Sequence, residues 1–430
     1  MPLRTRNLVL RFGASAFSAA VFLVFILLRS HAPGLYFQAL FWLGDVAYRY
    51  PFLDLEAVLQ AGGCWRAGVD VYLANACMGG GSYNYSPLLL RAAVFPIGAQ
   101  DRVAGGLLML FSYAAALALL PPPLRLRALA VRCAAAISPA VIFGLERGNL
   151  DLLVFCGLAL GVALALRAPL LRLLGYMLIA GMAFLKFYPA AALAVIVKEP
   201  WRLLLLYLLV LALLSAAYFC VFSHGTATAL KTLPGGPPFG YWFGDTNLAY
   251  GIALLAHMPV FNLNPDITQY RAILLHGNTL AVANLCVLVM RLLAFGAAIR
   301  LADPACDHPA SGTKIFLIAG SALLCGCFFA AQNVVYRELF FLFALPGLAV
   351  HPRGGWLVPA VMFLMWEEAL RRAFGIFTTW LLGAQTSIDL QIAFWLVREI
   401  IWWWVIIELG AILAGFGLAA LRRMLGAQAA

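Results

Sequence analysis

Asp54 follows Pro51-Phe52-Leu53 and opens a helix-like stretch, Leu55-Glu56-Ala57-Val58-Leu59-Gln60. A carboxylate placed there has two uses. It can cap the free N–H groups of a helix start, or it can take a proton from a reacting hydroxyl. The residues alone leave both open. Glu56 completes a D-x-D spelling, yet positions i and i+2 of a helix do not face each other, so a shared metal ion is not expected. The six His show no HExxH or paired-ligand spacing. No metal and no cofactor are expected.

Other groups recur downstream. Gly68-Val69-Asp70-Val71-Tyr72 is followed by Tyr83-Asn84-Tyr85-Ser86-Pro87-Leu88. The second segment sets two phenols and an amide before a proline, enough to hydrogen-bond and stack against a sugar, although an ordinary loop re-entering a helix reads the same way. Glu146-Arg147-Gly148-Asn149-Leu150-Asp151 gathers three charged groups and an amide between two apolar runs. Arg147 or Lys186 at such a place can bind a phosphate, Arg through a bidentate fork and Lys as a point charge. Asn333-Val334-Val335-Tyr336-Arg337-Glu338 repeats the theme at another helix start.

These groups must be positioned by membrane helices. Of 430 residues 64% are hydrophobic and 11% charged, with a mean hydropathy of +0.94. Soluble domains carry about 25% charged residues, so the class is an all-α polytopic membrane protein, a single transmembrane domain over 1–430. The net charge of +11 reflects Lys and Arg at the ends of apolar runs, which is topology information. A nucleic-acid partner is not expected. The apolar core of 12–28 exceeds the ~7–15 residues of a signal peptide, which points to an uncleaved first helix.

Apolar runs near 9–28, 103–120, 128–145, 150–166, 202–222, 278–300, 315–331, 336–351, 355–371 and 400–421 read as spans. Residues 173–197 form a further run, interrupted by Lys186-Phe187-Tyr188-Pro189 and flanked by basic residues at both ends. The charge rule makes it two broken passes with Lys186 pointing outward, and the alternative is one kinked helix. With the broken pair the count is about twelve passes and both termini are cytoplasmic.

The outer face then receives a first loop over 30–100, suited to short interfacial helices, and a second large loop over 224–277. Cys64 and Cys77 fall in the first loop and would pair in an oxidising compartment. The segment 233–240 reads as a mobile loop, and Trp395 with Trp402-Trp403-Trp404 reads as an interfacial aromatic belt. No internal repeat supports the inverted halves of a secondary transporter.

An Asp in the first outer loop, then Gly-x-Asp-x-Tyr, Tyr-x-Tyr-x-Pro-Leu, the Gly148-Asn149-Leu150-Asp151 turn, a Lys-Phe-x-Pro break and a Tyr-Arg helix start form an ordered series. In that order and spacing, over about 50–350, the chain resembles the polyprenol-phosphate-sugar-dependent glycosyltransferases of the GT-C fold, in particular glycosyltransferase family 87, which includes bacterial mannosyltransferases. The resemblance implies a GT-C-type bundle of about 10–13 transmembrane helices in a bacterial inner membrane, with the active site facing the periplasm.

It further implies a polyprenyl-phosphate sugar donor, a hexose such as mannose, a lipid or glycan acceptor, and inversion at the anomeric carbon. The family's catalytic base maps to Asp54. Arg147, Lys186 and Arg337 are candidate donor-phosphate contacts. Asp70, Tyr72, Tyr83, Tyr85, Asn149 and Asp151 are candidate substrate contacts. The tyrosine segment departs from the family in reading Tyr-Ser-Pro where Pro-Pro is usual. Two rivals remain: a flippase of lipid-linked sugars, for which Glu367, Glu368 and Glu408 inside apolar runs would matter, and a glycan polymerase or ligase using diphosphate-linked donors.

Overall fold

The structure, a computed structural model, describes residues 3–426 apart from 47–49, 96, 232–234, 258–266 and 304–311. Helix α1 (Leu3–His31) carries the first apolar run. Two short helices, α2 (Pro33–Leu43) and α3 (Leu53–Arg66), and one turn, α4 (Pro87–Leu90), build the first loop. After α5 (Arg102–Ala116), helices α6 (Leu126–Ala136) and α7 (Pro139–Arg147) meet at a 42° bend. Pro139 explains the break, because it cannot donate the hydrogen bond that would continue α6.

Then come α8 (Asp151–Leu164), α9 (Pro169–Lys186), a 3-10 segment (Tyr188–Lys198) and the long α10 (Trp201–Lys231). The second loop holds α11 (Asn247–His257) and α12 (Ile267–Leu274). It leads into α13 (Thr279–Leu301), α14 (Gly312–Ala330), α15 (Phe341–Leu348), α16 (Gly354–Met365), α17 (Glu367–Leu382) and α18 (Ala384–Gly426). A two-stranded antiparallel ribbon pairs β1 (Trp242–Phe243) with β2 (Asn333–Val334), Trp242 opposite Val334.

Among the described residues seven helices are long and apolar enough to cross a membrane, and the bent α6–α7 pair makes an eighth. Helices α8 and α16 and the 3-10 segment are shorter apolar pieces. Leu205, Leu208, Leu209 and Leu213 on α10 stay exposed, as do Leu285, Leu288, Leu292 and Phe295 on α13. Such apolar faces are unsuited to water. The chain is an all-α, multi-pass membrane protein that contacts lipid. The 10–13 helices expected from sequence counted whole runs that the fold divides: 336–351 is a 3-10 turn followed by α15, and 355–371 breaks at Trp366 between α16 and α17.

The run over 173–197 breaks as the basic flanks implied. Helix α9 ends at Lys186, and Phe187 takes a left-handed φ of 61°. The chain then returns, so that Glu199 meets Arg172 (2.7 Å) and Tyr176 (2.7 Å) near the start of α9, and Lys198 meets the Ala165 carbonyl (2.8 Å). One end of the bundle thus collects this basic turn, and the opposite end receives Asp151, Lys186 and Tyr188.

Two expectations need correction. Trp395, Trp402 and Trp403 are buried and do not form an interfacial belt; Trp402 stacks on Phe243 at 4.4 Å. Only Trp404 of the group is exposed. The segment 235–240 is neither helix nor strand, yet it is not free. Its Pro238 carbonyl accepts from Trp395 (3.0 Å) and its Gly240 carbonyl from Arg398 (2.7 Å). Leu233 and Pro234 lie outside the described residues. Arg398 also donates to the Trp242 carbonyl and to Glu367 and Glu399, so this buried cation ties α17, α18 and the loop together.

Candidate functional site

Asp54 is the second residue of α3, not its cap. The capping position belongs to Phe52, and no side chain caps this helix. The carboxylate is turned instead toward the Glu146-to-Asp151 turn. Arg147 grips it with two nitrogens, Nε to Oδ2 at 3.0 Å and a terminal nitrogen to Oδ1. Asn149 Nδ2 donates to Oδ2 at 2.5 Å. A carboxylate has about four lone-pair positions, so Oδ1 can accept a further hydrogen bond.

The contacts continue across the bundle. Lys186 Nζ donates to Asn149 Oδ1 (2.8 Å) and pairs with Asp151 Oδ1 (2.7 Å). Asp151 also accepts from the Tyr188 hydroxyl (2.7 Å) and from Arg337 Nε (3.3 Å). Lys186 lies over the ring of Tyr85 at 5.2 Å and near that of Tyr336 at 5.8 Å. Four separated segments therefore meet in one line: Arg147–Asp54–Asn149–Lys186–Asp151–Arg337. Three cations face two carboxylates, leaving one positive charge in excess. Neutralising it with an anion would lower the cost of burying the set.

Local backbone makes this convergence possible. Phe52 and Phe187 are the two non-glycine residues with positive φ among those described. One lies two residues before Asp54 and the other directly after Lys186. Such strain costs of order 1–3 kcal/mol and collects where the surroundings enforce a functional geometry. Phe52 is held by its N–H on the Glu146 carbonyl (2.6 Å), with its ring in a slot over Gly106, where a Cβ would come within 2.3 Å. Gly148, at φ 59°, lets the turn approach α3; a Cβ there would stand 3.0 Å from the Phe52 side chain.

Not every sequence candidate joins the line. Asp70 is exposed and closes a turn by accepting from the Tyr72 N–H (3.0 Å). Tyr72 packs edge against face on Tyr83, centroids 5.6 Å apart, and Tyr83 tilts against Tyr85 at 5.7 Å, so among the described residues an aromatic stack lies between Asp70 and Lys186. Burial, then the charge of Asp54, push the Tyr85 phenol well above its usual range, so it remains a proton-bearing donor. Cys64 and Cys77 form a disulfide that fastens the end of α3 to the loop carrying Asp70.

Sequence reasoning did not assign Tyr188, Tyr336 and Phe52. The proximity of the first to Lys186 in the chain was the available signal. Glu56 pairs with Arg102 (2.7 Å), away from Asp54, and no group of three or more His, Cys, Asp or Glu among the described residues could hold a metal. Glu367, Glu368 and Glu408 are each paired, with Arg398, Arg371 and Arg353.

No family model matches this chain, and neither the curated proteins nor the solved structures contain a significant match.

Proposed function

We propose that this chain is an inverting glycosyltransferase of the GT-C type, similar to family 87, that moves a hexose from a polyprenyl phosphate to an acceptor hydroxyl at the outer, periplasmic face of a bacterial inner membrane. The observation that carries this reading is the line of contacts joining Asp54 to three cations. It offers a proton acceptor at one end and an anion site at the other.

In the reaction the acceptor oxygen attacks the anomeric carbon as its proton passes to Asp54 Oδ1. The bond from that carbon to the phosphate oxygen breaks, and the electron pair leaves with the phosphate. Lys186 and Arg337 stabilise the charge that develops there. A monophosphate can be neutralised by these side chains. The Tyr72–Tyr83–Tyr85 stack reaches Lys186 through the Tyr85 ring, and in this reading these phenols and Asn149 contact the sugar. The disulfide favours an oxidising face for this end of the bundle.

The test is Asp54→Asn, assayed with purified protein and a labelled polyprenyl-phosphate hexose. Transfer should be abolished while folding and lipid-phosphate binding persist. Full activity in the variant would sink the assignment.

A further inference from the structure

A cavity of about 280 Å³ lies beside the Asp54 end of the line, enclosed by α1, α2, α5 and α7. Its walls are apolar, among them Phe22, Ile26, Leu107 and Leu110, and exposed Val103 shows that it reaches the surface. The volume is close to the lower end of the ~300–1,000 Å³ of small-molecule sites, so it suits one apolar chain and not a bundle of them. Arg29, Tyr36 and Glu146 form its polar part. Tyr36 donates to Glu146 Oε1 (3.3 Å), and Arg29 lies 4.9 Å over the Tyr36 ring. Glu146 Oε2 is buried without a hydrogen-bond partner, in a residue only 7% exposed. Such an oxygen is costly unless a donor reaches it.

Resting on the glycosyltransferase reading, we infer that this cavity holds the apolar chain of a lipid-anchored acceptor, whose hydroxylated head group donates to Glu146 and presents its reactive hydroxyl to Asp54. Position decides between acceptor and donor. Phe52 lines the cavity and lies two residues from Asp54, and Glu146 precedes Arg147. The cavity therefore adjoins the base end of the line, while Lys186 and Arg337 lie toward the other. Displacement with inversion brings the acceptor in on one side of the anomeric carbon and sends the phosphate out on the opposite side. A chain anchored beside the base belongs to the incoming partner. The chemistry of the polar part agrees: Arg29 is already set against the Tyr36 ring, and the oxygen left without a partner belongs to the Glu146 carboxylate, which accepts from a hydroxyl and repels a phosphate.

The test uses the full chain in nanodiscs and a decyl glycoside with a photoreactive group in its alkyl chain. Labelling should map to α1 and α5 around Ile26 and Leu107. It should be blocked by unlabelled decyl glycoside but not by polyprenyl phosphate, and lost in Leu107→Trp. Ile26→Trp is the second variant should the first fail to fold. In transfer assays either substitution should raise KM for decyl glycoside about tenfold or more, since each pair of methylenes kept out of the cavity is worth roughly that factor. KM for the donor and for methyl glycoside should stay unchanged. Glu146→Gln should raise KM for both glycosides. Displacement of the label by polyprenyl phosphate, or labelling elsewhere, overturns the inference. Labelling in the cavity with no transfer from any donor sinks the glycosyltransferase reading alone.

Discussion

Asn149→Leu should separate the two ends of the line while keeping the side chain's size. The wild-type amide donates to Asp54 at 2.5 Å and accepts from Lys186 at 2.8 Å, at a position only 1% exposed. A hydrogen bond to a charged group contributes about 1.5–3 kcal/mol. Neither charge is orphaned by the change, because Arg147 still holds Asp54 and Asp151 still holds Lys186. The lower end of that range applies to each bond, so the two together cost about 3 kcal/mol of folding stability, and the loosened alignment of base and cation should cost roughly a hundredfold in kcat/KM. The assay is initial-rate transfer of labelled hexose from its polyprenyl phosphate, with thermal unfolding of the same sample as control. Asn149→Asp should be worse, since it sets a second carboxylate against Asp54. A rate within about threefold of wild type in Asn149→Leu would refute the idea that the amide aligns base and cation.

Gly148→Ala should lower transfer and stability together, because its φ of 59° disfavours any side chain by about 1–2 kcal/mol and the new Cβ would press on Phe52; melting temperature and rate report both. Replacing Cys64 and Cys77 by Ser should cost about 3 kcal/mol, as for loops of similar length, and should expose 67–81 to limited proteolysis. Asp45 lies outside the spanning helices, and both its oxygens are buried without a partner. Burial, then the charges of Glu368 and Glu146, hold its carboxyl well above the usual range against the opposing pull of Arg372. The folded state therefore keeps a proton that the unfolded chain releases, and this group's contribution is lost as pH rises from about 4. Asp45→Asn should gain stability over wild type with increasing pH, seen as a widening difference in Tm; a constant difference would show that Asp45 does not titrate in this way.

The parts legible in sequence were those with a one-dimensional signature. Apolar length and basic flanks gave the membrane class and the interruption at Lys186, because both depend on composition over a local window. Asp54, Arg147, Asp151, Lys186 and Arg337 stood out because charge is costly in an apolar chain, Asn149 because its amide lies among them, and the fold does bring them together. What could not be read was pairing. Asp54 looked equally able to cap a helix, and only the approach of Gly148 to Phe52 shows why it turns to Arg147. Asp70 carried the same motif-like spacing yet ends in a turn, since spacing does not report depth. The tryptophans misled for a related reason: an indole suits an interface and a core alike, and Phe243 and Phe328 were needed to draw Trp402 inward.

The reversal at Phe187 has a bearing on biogenesis. Helix α9 and the 3-10 segment leave and regain the same end of the bundle, so together they add an even number of crossings. A straight helix through Lys186 would add one, and every later segment would then emerge on the opposite side of the bilayer. Arg337 would be separated from Asp54 by the thickness of the membrane. The strained phenylalanine thus sets the parity of the whole second half of the chain. A substitution that relaxes it, such as Phe187→Ala together with Pro189→Ala, threatens insertion before it threatens chemistry. Its signature would be mixed accessibility of reporter tags placed after α10.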